Sequence, residues 1–164
     1  MFVVESGNGD IDSNAYVAPT EVDAYLQARG RLETTGWIDL GNTEKQQRIV
    51  RATDYIDAEF ESKFHGQRLS LNQALAYPRT LDQRLPHNLI LACIEYSLID
   101  DLYPPVDNDQ QAIKSKTSTV GPITESITYQ YDPSYRRPSL HQFNQARSYI
   151  DKLIVSSFNT LKRS

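Results

Sequence analysis

The chain has 164 residues, with 17 basic and 21 acidic side chains, a formal net charge of −4 and a sequence pI of about 5.3. This balance argues against a dedicated DNA-binding domain, whose pI typically lies above about 9. A single cysteine, Cys93, excludes an intramolecular disulfide and a CxxC zinc site. The length suits one domain over residues 1–164, and the ten tyrosines favour an interaction protein.

Residues 1–18 contain a Gly-Asn-Gly-Asp stretch and little periodicity, so we predict an irregular or short-stranded N-terminal arm. The Gly-x-Gly lacks the strand and helix that flank a phosphate-binding loop, and we interpret it as a plain turn. The N-terminus lacks the basic start and long apolar stretch of a signal peptide. We therefore expect a protein that is made and kept in the cytosol, or in something assembled there.

Residues 19–104 are predicted to form a helical core. A first helix is expected from a Thr20 cap to Gly30, and a second from a Thr43 cap to about residue 64. The buried face of the second helix is predicted from apolar positions three or four residues apart, namely Ile49, Ala52, Ile56, Phe60 and Phe64. Residues 86–103 are apolar in almost every direction and are followed by two prolines, which predicts a buried central helix.

Residues 110–131 contain two β-branched runs on either side of Gly121-Pro122, which predicts a β-hairpin or a pair of extended arms. A two-stranded ribbon is marginally stable alone, so we expect it to pair with a neighbour. Residues 138–162 are predicted to form a long C-terminal helix capped by Ser139. The predicted fold is therefore mainly α, with a small helical bundle around a central buried helix, an extended hairpin or arm, and a long C-terminal helix.

The sequence carries no recognisable catalytic motif. No HExxH, HxH, Gly-x-Ser-x-Gly or Walker sequence is present, so we expect no enzyme, no catalytic residue and no cofactor. A site formed by residues distant in sequence stays open, and the histidines to consider for it are His65, His87 and His141. Asp54, Asp57 and Glu61 share one face of the second helix without a histidine. We interpret them as solvated or subunit-facing charges, not as a metal site.

The charges are unevenly distributed along the chain. Residues 1–42 contain seven acidic and two basic side chains, whereas residues 133–164 contain one acidic and six basic side chains. Such an asymmetry is compatible with nucleic-acid contact. It is equally compatible with identical subunits that pack head to tail in a ring, acidic face on basic face.

Five short stretches, in this order, resemble a known family. They are residues 14–17 (NAYV), 24–30 (AYLQARG), 51–57 (RATDYID), 73–79 (QALAYPR) and 120–123 (VGPI). Together they resemble the head–tail connector proteins of tailed bacteriophages, also called adaptor or head-completion proteins. Related sequences often carry the label "DnaT-like single-stranded-DNA-binding protein". The resemblance covers roughly residues 10–131, and the C-terminal helix matches only in position and character.

The resemblance implies a structural protein of the virion neck, made in the cytoplasm of the bacterial host. Such connectors form a twelve-subunit ring beneath the portal protein. The ring extends the DNA channel, contacts passing DNA non-specifically and docks the next tail component, a tail or stopper (nozzle) protein. Neither a membrane nor a cofactor is implied.

On this basis our leading hypothesis is a ring-forming adaptor, and two sets of residues are predicted to make its contacts. Contacts with neighbouring subunits or the tail are predicted for Val120, Gly121, Pro122, Ile123 and Tyr129. Portal contacts are predicted for Arg147, Lys152, Phe158 and Leu161. The alternative for Phe158 and Leu161 is ordinary core packing. The rival hypothesis for the whole chain is a single-stranded-DNA-binding replication accessory protein.

Overall fold

A computed structural model describes residues 1–82, 84–100, 102, 116–120, 123–127 and 140–154. The fold is mainly helical. Its α-helices are α1 (Pro19–Ala28), α2 (Asn42–Phe60), α3 (His87–Ser97) and α4 (Leu140–Ile150). Short 3-10 helices follow α1 and α2 at Trp37–Asp39 and Glu61–Lys63. Two strands, β1 (Lys116–Val120) and β2 (Ile123–Ile127), pair antiparallel, with Lys116 opposite Ile127 and Val120 opposite Ile123.

Helix α3 lies at the centre of the molecule. Eight of its eleven residues are buried, including Ile94 and Tyr96, which agrees with the prediction of a buried central helix. The helix is shorter than predicted, because it ends at Ser97 and not near residue 103. The Ser97 hydroxyl donates to the carbonyl oxygen of Ile94, a local bond that competes with continued helix.

Helices α2 and α4 both pack against α3. The five apolar positions predicted for the inner face of α2 and its extension are all buried. An aromatic cluster joins the three helices: the Tyr55 ring centroid lies 5.0 Å from that of Tyr96 and 6.1 Å from that of Phe143. Each such tilted or edge-to-face pair contributes about 0.5–1.5 kcal/mol beyond its buried area. Helix α4 is therefore part of the core.

Several predicted helix boundaries are wrong. Helix α1 is capped at Ala18, whose N–H donates to the Glu21 carboxylate at 2.8 Å, so the cap is not Thr20. The N-cap of α2 is Gly41, which leaves Thr43 inside the first turn. This helix ends at Phe60, where the backbone tightens into the 3-10 turn.

The long C-terminal helix is also a wrong prediction. Helix α4 ends at Ile150 and a turn follows over residues 151–153. The turn places Leu153 in the core and brings Ile154 into an antiparallel bridge with Phe64. Continued helix would forgo this bridge. The predicted Ser139 cap and residues 155–162 lie outside the described residues.

The predicted N-terminal arm is irregular in structure but is folded onto the core. Val4 bridges to Ala15, and the following residues Tyr16 and Val17 are at most 1% exposed. Gly7 and Gly9 have positive φ, so the predicted turn is present. Gly121 and Pro122, between the two strands, lie outside the described residues, and the hairpin connection stays a prediction.

Candidate functional site

Most cationic side chains of the helical core are already neutralised. Within the described residues, those in ion pairs are Arg31, Lys45, Arg48, Lys63, Arg68 and Arg147. The first hundred residues also contain 15 acidic side chains against nine basic ones. Phosphate groups are repelled by such a surface, so the core offers a poor binding face for nucleic acid.

The glycine-rich turn near the N-terminus is occupied by the chain itself. The Glu5 carboxylate accepts hydrogen bonds from the backbone N–H groups of Gly7, Gly9 and Asp10, at 2.9–3.0 Å, and from the Ser13 hydroxyl at 2.8 Å. These N–H groups are the donors that a phosphate would need. Glu5 is 3% exposed, so it holds the turn from inside and leaves no anion site there.

Glu95, in the middle of α3, is fully buried and carries a dense set of hydrogen bonds. The Arg31 guanidinium binds both of its oxygens, at 2.6 and 3.1 Å. The Tyr25 hydroxyl donates to Oε1 at 2.5 Å, and the Gln145 amide donates to the same oxygen at 3.0 Å. Burial raises the pKa of the Tyr25 hydroxyl, and the bond to Glu95 raises it further.

This carboxylate joins α1, the loop after it, α3 and α4 at one point. No oxygen of Glu95 reaches solvent, so we assign it a structural role. Sequence reasoning missed it because Arg31 and Gln145 are 64 and 50 residues away. The available signal was an acid in a helix that is otherwise apolar all round, since such an acid needs a partner.

A second polar network lies where α2 meets residues 64–79. Arg79, 5% exposed, donates to the backbone carbonyl oxygens of Glu61, Phe64, Gly66 and Ala76, at 2.5–3.2 Å. It thereby fixes the backbone around the end of α2. Because its guanidinium donates to these four carbonyl oxygens, we assign Arg79 a structural role.

Tyr77 packs beside Arg79. Its ring is fully buried, meets the Phe64 ring at 5.0 Å in an edge-to-face contact, and lies 5.7 Å from the Arg79 guanidinium. The Tyr77–Pro78 peptide bond is cis.

Beside this network is an open groove of about 880 Å³, which we call the acidic groove. It is lined by Asp54, Asp57, Glu61, Arg68 and Leu71, among others. Glu61 pairs with Arg68 at 2.6 Å, whereas Asp54 has no hydrogen bond or ion pair within the described part of the chain. Partial burial raises the pKa of the Asp54 carboxyl.

Asp57 sits at the inner side of the acidic groove. Its carboxylate accepts from the Tyr16 hydroxyl at 2.5 Å and from the Ala76 backbone N–H at 2.8 Å. Burial raises the pKa of this carboxyl to about 6, although both hydrogen bonds act in the opposite direction. Asp57 thus differs from the predicted solvated or subunit-facing charge in being half-buried and hydrogen-bonded within its own chain.

The predicted interface residues are only partly described. Val120 and Ile123 form the last opposed pair of the two strands, while Gly121, Pro122 and Tyr129 lie outside the described residues, as do Phe158 and Leu161. Both predicted interfaces stay predictions.

Arg147 and Lys152 are described. Arg147 is not free, because it pairs with Asp151 at 2.8 Å and its guanidinium lies 4.7 Å from the Phe60 ring centroid. Lys152 is exposed, with Nζ 5.2 Å from the Tyr149 ring centroid.

Two kinds of site are missing from the part of the chain that the structure describes. It contains no cluster of three or more His, Cys, Asp or Glu side chains suited to a metal ion. None of its helices is long and apolar enough to cross a membrane. Cys93 is buried, and burial raises its thiol pKa to about 12, so it is a poor nucleophile.

Comparison with known proteins gives one match. A family model described as "Putative DnaT-like ssDNA binding protein" matches residues 1–163. No curated protein and no solved structure shows significant similarity to the chain. The description agrees with the rival hypothesis of single-stranded DNA binding, and these comparisons lend no support to the connector identity. Because the match extends over almost the whole chain, the protein belongs to this DnaT-like family.

Proposed function

We propose that the protein binds single-stranded DNA, without sequence preference, through its C-terminal third. The observation that carries the proposal is the full-length match to a family described by single-stranded DNA binding. We assign the DNA contact to the C-terminal third because of the distribution of charge along the chain. Residues 110–164 contain eight basic and three acidic side chains, a net charge of +5, whereas residues 1–109 contain nine and 18, a net charge of −9.

Within the C-terminal third, residues 129–137 have the composition that a single-strand site needs. The stretch YQYDPSYRR combines two adjacent arginines, Arg136 and Arg137, with three tyrosines at positions 129, 131 and 135. Arginines neutralise phosphates and tyrosine rings stack on bases of any sequence. We assign the central contact to this stretch. The paired cations of the helical core take no part in it.

The test is a titration of fluorescently labelled oligo-dT with the full chain at several salt concentrations. Affinity should fall as salt rises, with a logarithmic slope of about −0.7 for each phosphate contact. The double substitution R136A/R137A should reduce this slope by about 1.4, because two contacts are removed. The matched control is Lys63→Ala, which removes a cation paired with Glu59. Absence of binding near physiological salt, or an equal effect of both variants, would overturn the proposal.

A second function is favoured by the same charge division. A chain with an acidic first part and a basic last part can pack head to tail with its copies. In addition, the two strands have no third strand beside them within the described residues. Both features suit a ring-forming head–tail connector that docks on a portal protein and a tail component in the virion neck. In that setting, an acidic channel lining would let DNA slide past.

Imaging distinguishes the two functions. Negative-stain images of the purified protein mixed with the portal of the same phage should show a ring stacked on the portal if the connector function holds. A protein that stays monomeric and ignores the portal would exclude the connector and leave the single-strand function as the only candidate.

A further inference from the structure

The acidic groove carries apolar surface that the described chain leaves uncovered. Leu71, on its lining, is 99% exposed. Leu81 is 71% exposed and lies against Gly66, another lining residue. Two large apolar side chains beside a concave surface with an unpaired carboxylate indicate that something covers it. Its occupant should combine apolar groups with positive charge.

The C-terminal end of the described chain reaches this groove. Ile154 forms an antiparallel bridge with Phe64, which lines the groove. The last described residue, Ile154, therefore lies at the edge of the groove.

The ten residues that follow have the required chemistry. Residues 155–164 read VSSFNTLKRS, with apolar Phe158 and Leu161 followed by two basic residues and with no acid. Ten residues span up to about 33 Å when extended, which is ample for a groove that starts beside residue 154. Attachment at Ile154 also gives this segment a far higher local concentration than any second copy in dilute solution. Nucleic acid is disfavoured, because the carboxylates of Asp54 and Asp57 repel phosphate.

We propose that the acidic groove binds the C-terminal segment of its own chain, residues 155–164, with Phe158 and Leu161 on the leucines and Lys162 and Arg163 near the carboxylates. The contact would cover Leu71. It also gives the last ten residues a site on the core, so that Phe158 and Leu161 do not serve a portal interface. The inference does not depend on the proposed DNA contact, which is assigned to other residues.

The test places a nitroxide on the full chain through Ser164→Cys. The native Cys93 is buried with a raised thiol pKa, so the label reacts at the new cysteine. Amide resonances of residues 66–74 should lose intensity with the oxidised label and regain it after reduction. Asp54→Lys combined with Leu71→Ser should abolish the loss. The control Asp39→Lys, which reverses an exposed acid on the first 3-10 helix, should not.

A mixed sample separates the possible occupants. Isotope-labelled chains without nitroxide are combined with nitroxide-labelled chains without isotope. Intensity loss in this mixture would show a second copy in the groove and would overturn the proposal. The proposal would also fail if the amide resonances of residues 66–74 lost no intensity with the oxidised label. It would fail as well if oligo-dT changed the chemical shifts of these resonances in the unlabelled protein.

Discussion

Glu95 is a fully buried carboxylate and Asp57 a half-buried one, and the two are held by different kinds of partner. Glu95 binds a guanidinium through both oxygens and two neutral donors in addition. Among the described residues, Asp57 has a hydroxyl and a backbone N–H as its direct partners. Burial raises the pKa of Asp57 to about 6, because the two neutral donors do not offset the lost hydration.

The contrast shows that the kind of partner decides what a buried acid does. A carboxylate with a bidentate cation can join four segments of a fold. A carboxylate with neutral partners changes its protonation near physiological pH, and it lies beside a groove that is open to solvent. Glu95 therefore has a structural role, whereas Asp57 can take up or release a proton beside the groove.

The largest effect on stability is expected from a new buried carboxylate that has no partner at all. Ile94, next to Glu95 and 2% exposed, provides the site. Ile94→Asp should abolish folding, because an unpaired charge in the core costs more than the stability of a small domain permits. Circular dichroism during heating should show no cooperative transition. The control is His87→Asp, an exposed position in the first turn of α3 where an acid is favourable. A soluble Ile94→Asp protein that melts cooperatively would contradict the central position of α3.

Removal of the cation tests the role of Glu95 directly. Arg31→Ala leaves a fully buried carboxylate without its charged partner and should lower the free energy of unfolding by about 3–5 kcal/mol. Urea denaturation followed by circular dichroism measures this change. Lys63→Ala breaks an exposed pair with Glu59 and should cost less than about 1 kcal/mol. Equal losses in the two variants would mean that the Arg31–Glu95 pair is no more than a surface contact.

The pH dependence of Asp57 is the smallest expected effect. Its pKa is raised in the folded protein, so its contribution to stability is fully present below pH 3.8 and is lost as pH rises through about 6. Between pH 7 and pH 5 the wild-type protein should gain about 1 kcal/mol relative to Asp57→Asn, which cannot take up the proton. Urea denaturation of both proteins at the two pH values measures the difference. If the free energies of unfolding of the two proteins differed by the same amount at pH 7 and at pH 5, the raised pKa of Asp57 would be contradicted.

Periodicity predicts much of this fold. The buried face of α2 and the buried character of α3 both follow from the spacing of apolar residues. The helix ends are less predictable, because neither Ala18 nor Gly41 has a side chain that can accept a capping hydrogen bond. The end of α4 at Ile150 is followed by the bridge between Ile154 and Phe64, which are 90 residues apart in sequence, so no local signal predicts it.

The candidate site was harder to predict from the sequence than the fold. The acids of α2 were visible as a group in the sequence, but a helical face does not show which of them another segment will cover. Asp57 is covered because Tyr16 and Ala76, from two other parts of the chain, reach it. The acidic groove likewise exists only where residues 64–79 fold back on the end of α2.

The packing of α4 on α3 has one more consequence for residues 103–139. Both ends of this stretch are attached to folded helices, since it begins after α3 and its last residue precedes α4. A single peptide bond cut within it would leave two fragments. The aromatic cluster, the buried apolar residues of α4 and the Gln145–Glu95 hydrogen bond would hold these fragments together. The cut would remove the entropic cost of joining α3 to α4 through one chain, while the contacts of the core stayed in place. A nicked protein would thus migrate as one particle in native conditions and as two fragments in denaturant.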